Sequence, residues 1–307
     1  MPYRTILLVA ALLLAWLASF AVSGQGLRER WQARRAASGE PSAALPAGAR
    51  VLRDVAYGSD PAQRYDIYLP GRAANAPVVF MVHGGGWRVG DKTHDKVVDN
   101  KIGRWLPKGF VLISANYRML PTQDALGQAE DVARALAHAQ KHAREWGGDP
   151  RRFVLMGHSA GAHLVALISA DPARYSPFGV APTLGTVSLD SGAIDVVAKM
   201  QTRHLPLYDA AFGDDPSRWR LASPTHALVR GAAPLLAVCS SERRDQPCNE
   251  AKNYLARAHS LGVRAELLPQ AKTHAEINQQ LGLPGAYTDA VERFLASLDD
   301  GIAALLR

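Results

Sequence analysis

The run Gly157-His158-Ser159-Ala160-Gly161 has the spacing G-x-S-x-G and lies between an apolar stretch and a run of small residues. That pattern suits a serine nucleophile on a sharp bend from a strand into a helix. Small neighbours let the chain turn tightly, and the turn lifts the hydroxyl clear at the helix N-terminus. The positive end of the helix dipole favours the negative charge that grows there during attack. A second run, His83-Gly84-Gly85-Gly86-Trp87, follows an apolar stretch at 77–82. Without side chains in the way, its amides can turn toward a carbonyl oxygen. Gly85 and Gly86, with the N–H of Ala160 just after the serine, are the expected donors of an oxyanion hole. The run lacks the lysine and Ser/Thr of a phosphate-binding loop and the spacing of a dinucleotide fingerprint. His83 is expected to brace the loop, and Trp87 to serve as pocket wall or core.

Serine attack needs a base and a carboxylate to orient it. Of ten histidines, only His274 sits just past a late strand-like run, Ala265–Leu268; it is the expected base. With chain order serine, acid, histidine, three carboxylates qualify. Glu242 and Asp245 follow the apolar run Leu235–Cys239, and Asp190 closes the run Thr186–Leu189. Asp245 is favoured. It lies 29 residues before His274, and Cys239 and Cys248 bracket it, so a disulfide would fix the loop that carries it.

The elements that must position these groups follow from hydrophobic periodicity. Arg50–Tyr57 and Gln63–Leu69 read as strands around the turn Gly58-Ser59-Asp60-Pro61. Pro77–Val82, Phe110–Ala115, Phe153–Met156, Thr186–Leu189, Leu235–Cys239 and Ala265–Leu268 read as strands, several of them continuous apolar runs suited to burial on both faces. Helical spacing marks 93–107, Leu126–Trp146, Ala160–Ser169, Asn249–Leu261 and Gly285–Leu298, with glycine stops at Gly147-Gly148 and Gly262. Strands alternating with helices imply an α/β fold, a mostly parallel sheet covered on both faces. Residues 50–307 read as one domain, and the proline-rich stretch 170–233 as a cap-like excursion over the site.

The chain has 307 residues, is about half apolar and carries a formal net charge of +7, enough length and apolar content for a sizeable core. No basic stripe with a nucleic-acid-binding motif is present. Arg4 followed by the uncharged stretch Thr5–Val22, with Ala21 and Ser23 placed for cleavage after Ser23, reads as a signal peptide over 1–23. The alternative is an uncleaved membrane anchor through residues 5–22. Residues 24–49 read as a flexible arm. Export places the domain in the periplasm or outside the cell, where Cys239 and Cys248, nine positions apart, are expected to pair. Two cysteines without a histidine pair do not make a zinc site, and no metal or organic cofactor is expected.

Together, His83-Gly-Gly-Gly-Trp87, Asn116-Tyr117-Arg118, Gly157-His-Ser-Ala-Gly-Ala-His-Leu164 and Thr273-His274 resemble the esterase/lipase branch of the α/β-hydrolases, with bacterial carboxylesterases, kynurenine formamidase and feruloyl-esterase-like proteins nearby. Tyr57-Gly58-Ser59-Asp60-Pro61 with Gln63 and Asp66-Ile67-Tyr68-Leu69-Pro70 is similar to the first hairpin of that branch. The resemblance covers about 50–298. It implies the α/β-hydrolase fold with an eight-stranded, mostly parallel sheet, helices on both faces, and a triad of Ser159, His274 and Asp245. The branch carries a Gly-x-x-Asp-like turn after the seventh strand, whereas this chain has Cys239-Ser-Ser-Glu-Arg-Arg-Asp245. The implied activity is hydrolysis of small-molecule carboxylic esters through an acyl-enzyme. A formamidase-type amide hydrolase and a non-catalytic ligand-binding protein of the same fold are the alternatives.

Overall fold

The computed structural model describes residues 45–307. The expected signal segment 1–23 and most of the arm 24–49 lie outside the described residues. Leu45 and Ala49, at the end of that arm, pack against the core.

The elements run β1 (Arg50–Ala56), β2 (Arg64–Leu69), β3 (Ala76–Val82), α1 (Asp95–Trp105), β4 (Val111–Ala115), α2 (Ala125–His142), β5 (Gly148–His158), α3 (Ala160–Ala170), α4 (Pro172–Tyr175) and β6 (Gly185–Leu189). Four short helices follow: α5 (Val196–Met200), α6 (Pro206–Phe212), α7 (Pro216–Ala222) and α8 (Pro224–Ala227). The chain continues with β7 (Leu235–Ser240), α9 (Pro247–Ser260), β8 (Ala265–Gln270), α10 (His274–Gln279), α11 (Ala286–Ala296) and α12 (Asp300–Leu306). The eight strands form one sheet in the order β1-β2-β4-β3-β5-β6-β7-β8. Only the β1–β2 and β2–β4 pairs are antiparallel, so the expected mostly parallel sheet is present.

Successive side chains of a strand point to opposite faces, and β3 uses both. Val78, Phe80 and Val82 meet a cluster that includes Val132 and Leu136 of α2 and Leu164 and Leu167 of α3. Val79 and Met81 meet Val98, Ile102 and Trp105 of α1 and Val291 and Phe294 of α11. β5 alternates in the same way, with Phe153 and Leu155 on the first side and Val154 and Met156 on the second. Helices therefore cover both faces.

Several boundaries depart from expectation. β5 begins at Gly148, before the expected Phe153, because Gly148 pairs with Ala76 of β3. The helix expected to reach Trp146 closes as α2 at His142, followed by a 3-10 turn over Ala143–Trp146 and a left-handed Gly147. The region 170–233 contains β6 as well as the short helices, which mostly start at prolines where a missing N–H costs nothing. Helices α10 and α12 were not expected from periodicity; each spans less than two full turns.

Candidate active site

Ser159 follows His158, the last residue of β5, and caps α3 with φ 56° and ψ −117°. A non-glycine residue in that region is strained. The strain is held by three backbone bonds: Ser159 N–H donates to Leu189 O (3.0 Å), and Ser159 O accepts from Gly192 N–H and His163 N–H (3.1 Å each). The flanking glycine is sterically obligatory. A Cβ on Gly161 would lie 2.2 Å from Val82 O and 2.4 Å from His83 O, since α3 starts directly against the end of β3.

That contact brings the glycine run to the serine. A Cβ on Gly84 would stand 2.8 Å from Ser159 Cβ. Gly85 and Gly86 follow with φ 118° and 59°, and the space beside Gly86 is open. The loop is braced as expected from His83, whose Nδ1–H donates to Gly84 O (2.7 Å) and whose ring stacks on Tyr117. The Asn116-Tyr117-Arg118 motif contributes further. Tyr117 Oη donates to His83 O (3.0 Å), and Asn116 Oδ1 accepts from Lys92 N–H (2.6 Å). Gln128 Nε2 of α2 donates to Trp87 O (2.8 Å). Trp87 is core: its indole N–H donates to His163 Nδ1 (3.3 Å), and its ring meets Tyr208 and Phe212 of α6. The excursion thus packs against Trp87 of the glycine loop and the turn after β6, with Tyr208 Oη donating to Gly192 O.

His274 begins α10. Thr273 and Glu276 form a capping box that fixes the helix start, and Lys101 of α1 donates to both the backbone and side-chain oxygens of Asn278 near its end (2.8 and 2.9 Å). Burial brings the Lys101 ammonium down to about 7. The backbone oxygen of His274 accepts a bond from Nε2–H of His158, the residue before Ser159 (2.9 Å), and the two rings lie 4.5 Å apart. Burial, then the neighbouring His274, pushes His158 down to about 3, so it is neutral at ordinary pH.

The carboxylate at His274 is Asp190, and here the expectation of Asp245 is corrected. Asp190 Oδ2 accepts from His274 Nδ1–H at 2.5 Å. Asp190 is completely buried. Its other oxygen accepts from Ser240 N–H (2.9 Å). Burial opposes its charge, but the bond from His274 and the cation of Arg243 outweigh that and hold the carboxyl below its usual range. Asp245 is half exposed and faces away, bonding Arg243 through both oxygens (3.0 and 2.5 Å). Glu242 donates its N–H to Ser240 Oγ, at the start of the same loop. The physical reason is sheet order. β5 and β6 are neighbours with His158 paired to Leu189, which puts Asp190 beside Ser159, whereas Asp245 hangs from β7, one strand further out. Cys239 and Cys248 do form a disulfide, but the loop it closes carries Arg243 toward Asp190.

With Nδ1 donating to Asp190, the Nε2 of His274 is left as a proton acceptor. Among the described residues, no group of three or more His, Cys, Asp and Glu could hold a metal ion.

Comparison with known proteins bears on the fold and on which proteins the chain is similar to. Residues 65–176 match the BD-FAE family model. The chain is 27% identical over 276 residues to isoprenylcysteine alpha-carbonyl methylesterase ICME of Arabidopsis thaliana, an alignment covering 82% of this chain and 64% of that protein. It is 26% identical over 294 residues to the probable carboxylic ester hydrolase LipM of Mycobacterium tuberculosis, covering 86% of this chain and 67% of that one. Matches to such curated relatives span between 24% and 67% of their length. Among solved structures, an inhibited esterase B from Lactobacillus rhamnosis superposes with a TM-score of 0.67 at 21% identity, covering 94% of this chain and 97% of that one. A bacterial heroin esterase superposes with a TM-score of 0.64 at 22% identity, covering 92% of each chain. The chain has the α/β-hydrolase fold, and across residues 65–176 it carries the sequence pattern of the BD-FAE family.

Proposed function

We propose that the protein is a serine esterase that hydrolyses small-molecule carboxylic esters through an acyl-enzyme. Ser159 is the nucleophile, His274 the base and Asp190 the acid. The observation that carries this is the 2.5 Å bond from His274 Nδ1 to a buried carboxylate, on a loop anchored to the residue next to Ser159. His274 takes the Ser159 proton as the hydroxyl oxygen bonds the ester carbonyl carbon. The N–H groups of Gly85, Gly86 and Ala160 hold the resulting oxyanion, which the open, positive-φ loop at Gly86 supports. The imidazolium then protonates the leaving alcohol, and water, deprotonated by the same imidazole, releases the acid. The names of the relatives, methylesterase and carboxylic ester hydrolase, support an ester substrate. A site outside the cytoplasm, in the periplasm or the medium, is supported by the disulfide, since such bonds persist in oxidising compartments.

A fluorophosphonate probe tests the assignment, because it bonds covalently only to an activated serine. Digestion and mass spectrometry are expected to find the adduct on the peptide carrying Ser159. Labelling that is absent, or that falls on another serine, contradicts the proposal.

A further inference from the structure

The acid of this site is shared. Asp190 Oδ2 accepts from His274 Nδ1 on one side and from Arg243 Nη1 (2.9 Å) on the other, and that Nη1 lies 3.3 Å from His274 Nδ1. With the Nδ1 proton committed to Asp190, this last contact is a cation beside a ring that must itself become positive during attack. Arg243 is largely buried, so water screens it poorly. Its remaining donors meet Asp245 in a two-bond fork, Nε to Oδ1 and Nη2 to Oδ2. Asp245 in turn lies 3.9 Å from Lys199, which pairs with Glu250 and sits over the Tyr208 ring. Both arginine and Asp245 belong to the loop between β7 and α9 that the Cys239–Cys248 disulfide closes.

We infer that Arg243 is a positioning residue for the Asp190–His274 pair, and that Asp245 is the counter-charge that keeps its cation from opposing protonation of the imidazole. This rests on the triad proposed above. The arginine bond fixes Asp190 and holds it ionised, while the fork draws guanidinium charge away from His274. Other charged or titratable groups around the imidazole come from separate elements. His158 ends β5, Lys101 lies on α1, Lys272 precedes the helix, Glu276 is on α10 itself and Tyr287 is on α11. Of these, Lys101 is bonded to Asn278, Lys272 to Gln280 and Glu276 to Thr273, and Tyr287 donates to Ile277 O. None of those bonds reaches Asp190, so Arg243 and Asp245 can be changed while they stand.

The pH dependence of kcat/KM on p-nitrophenyl acetate separates charge from mere support, with Ser159→Ala as the blank. The acidic limb reports protonation of the base in the free enzyme. Removing the cation in Arg243→Gln favours the imidazolium, so the limb is expected to rise by roughly one pH unit. Removing the counter-charge in Asp245→Asn leaves the cation less compensated, and the limb is expected to fall by roughly half a unit. A role in structure alone would lower turnover without moving the limbs in opposite directions. Arg243→Lys, which keeps the charge but loses the fork, is expected to hold the limb at or slightly below its native position, never above it, with reduced kcat. Asp245→Asn, at the surface, carries the test if Arg243→Gln does not fold. Limbs that stay at the native pH, or that move the same way, overturn the inference and leave the triad intact. Turnover that persists in Ser159→Ala overturns the triad itself.

Discussion

The carboxylate assignment turns on a few ångströms. Spacing and the cysteine bracket favoured Asp245, and both observations were sound: the disulfide forms, and the loop is tethered. What spacing does not contain is which strand ends lie side by side. The pairing of His158 with Leu189 places Asp190 next to the serine, and its φ of 48° turns the chain there so that its carboxyl meets His274. The expectations for Ser159, His274 and the glycine loop rest on residue types at short range, whereas three carboxylates stayed open because tertiary neighbourhood decides which of them meets His274. Asp190→Asn is expected to lower kcat on an activated ester by ~10³- to 10⁴-fold with KM little changed, since the amide cannot hold the ring with Nε2 as acceptor or stabilise the imidazolium. Asp245→Asn is expected to lose less than about tenfold at its own optimum pH. Near-native turnover in Asp190→Asn, measured on well-folded protein, would contradict the assignment.

At the scale of elements, periodicity located the strands and long helices because one face or both must be buried, and it missed α10, whose six residues are too few to show a period. Yet α10 begins with His274. Its start is fixed by the local capping box, and its end by Lys101, which lies 177 positions away from Asn278 in sequence. The turn from β5 into α3 also carries a stability cost that depends on pH. His158 at the end of β5 is partly buried and His163 in α3 fully so, and burial lowers His163 to about 4, with Nε2–H donating to Ala222 O and Nδ1 accepting from Trp87. Unfolded, each would titrate near 6.5. Below that pH the unfolded chain binds protons that the folded chain refuses, so stability falls as pH falls, by about 1.4 kcal/mol per pH unit for each histidine. The loss from His163 levels off near pH 4 and that from His158 near pH 3. Urea unfolding at a series of pH values is expected to show the decline already between pH 6.5 and 5, where carboxylates are still ionised. A stability that stays level across that interval would show that these rings are hydrated or charged in the folded state.

For the molecule as a whole, one sheet with helices on both faces delivers the carboxyl ends of β5, β6, β7 and β8 to a single edge, where Asp190, Arg243 and His274 meet and His274 is bonded to His158, the residue before the serine. The alternation of strands and helices foretold that architecture because parallel neighbours need covered crossovers. The short helices α5 to α8 were less legible: each is too brief for periodicity, and α6 is placed by the aromatic contacts of its Tyr208 and Phe212 with Trp87 of the glycine loop. We propose that this edge works as an acyl-transfer site with Ser159 at its centre. The most direct measurement is steady-state hydrolysis of p-nitrophenyl acetate by the native chain and by Ser159→Ala, both checked for folding. The native chain is expected to turn the ester over and the variant to lose roughly 10⁴- to 10⁶-fold in kcat. Equal turnover by the two proteins would contradict the account.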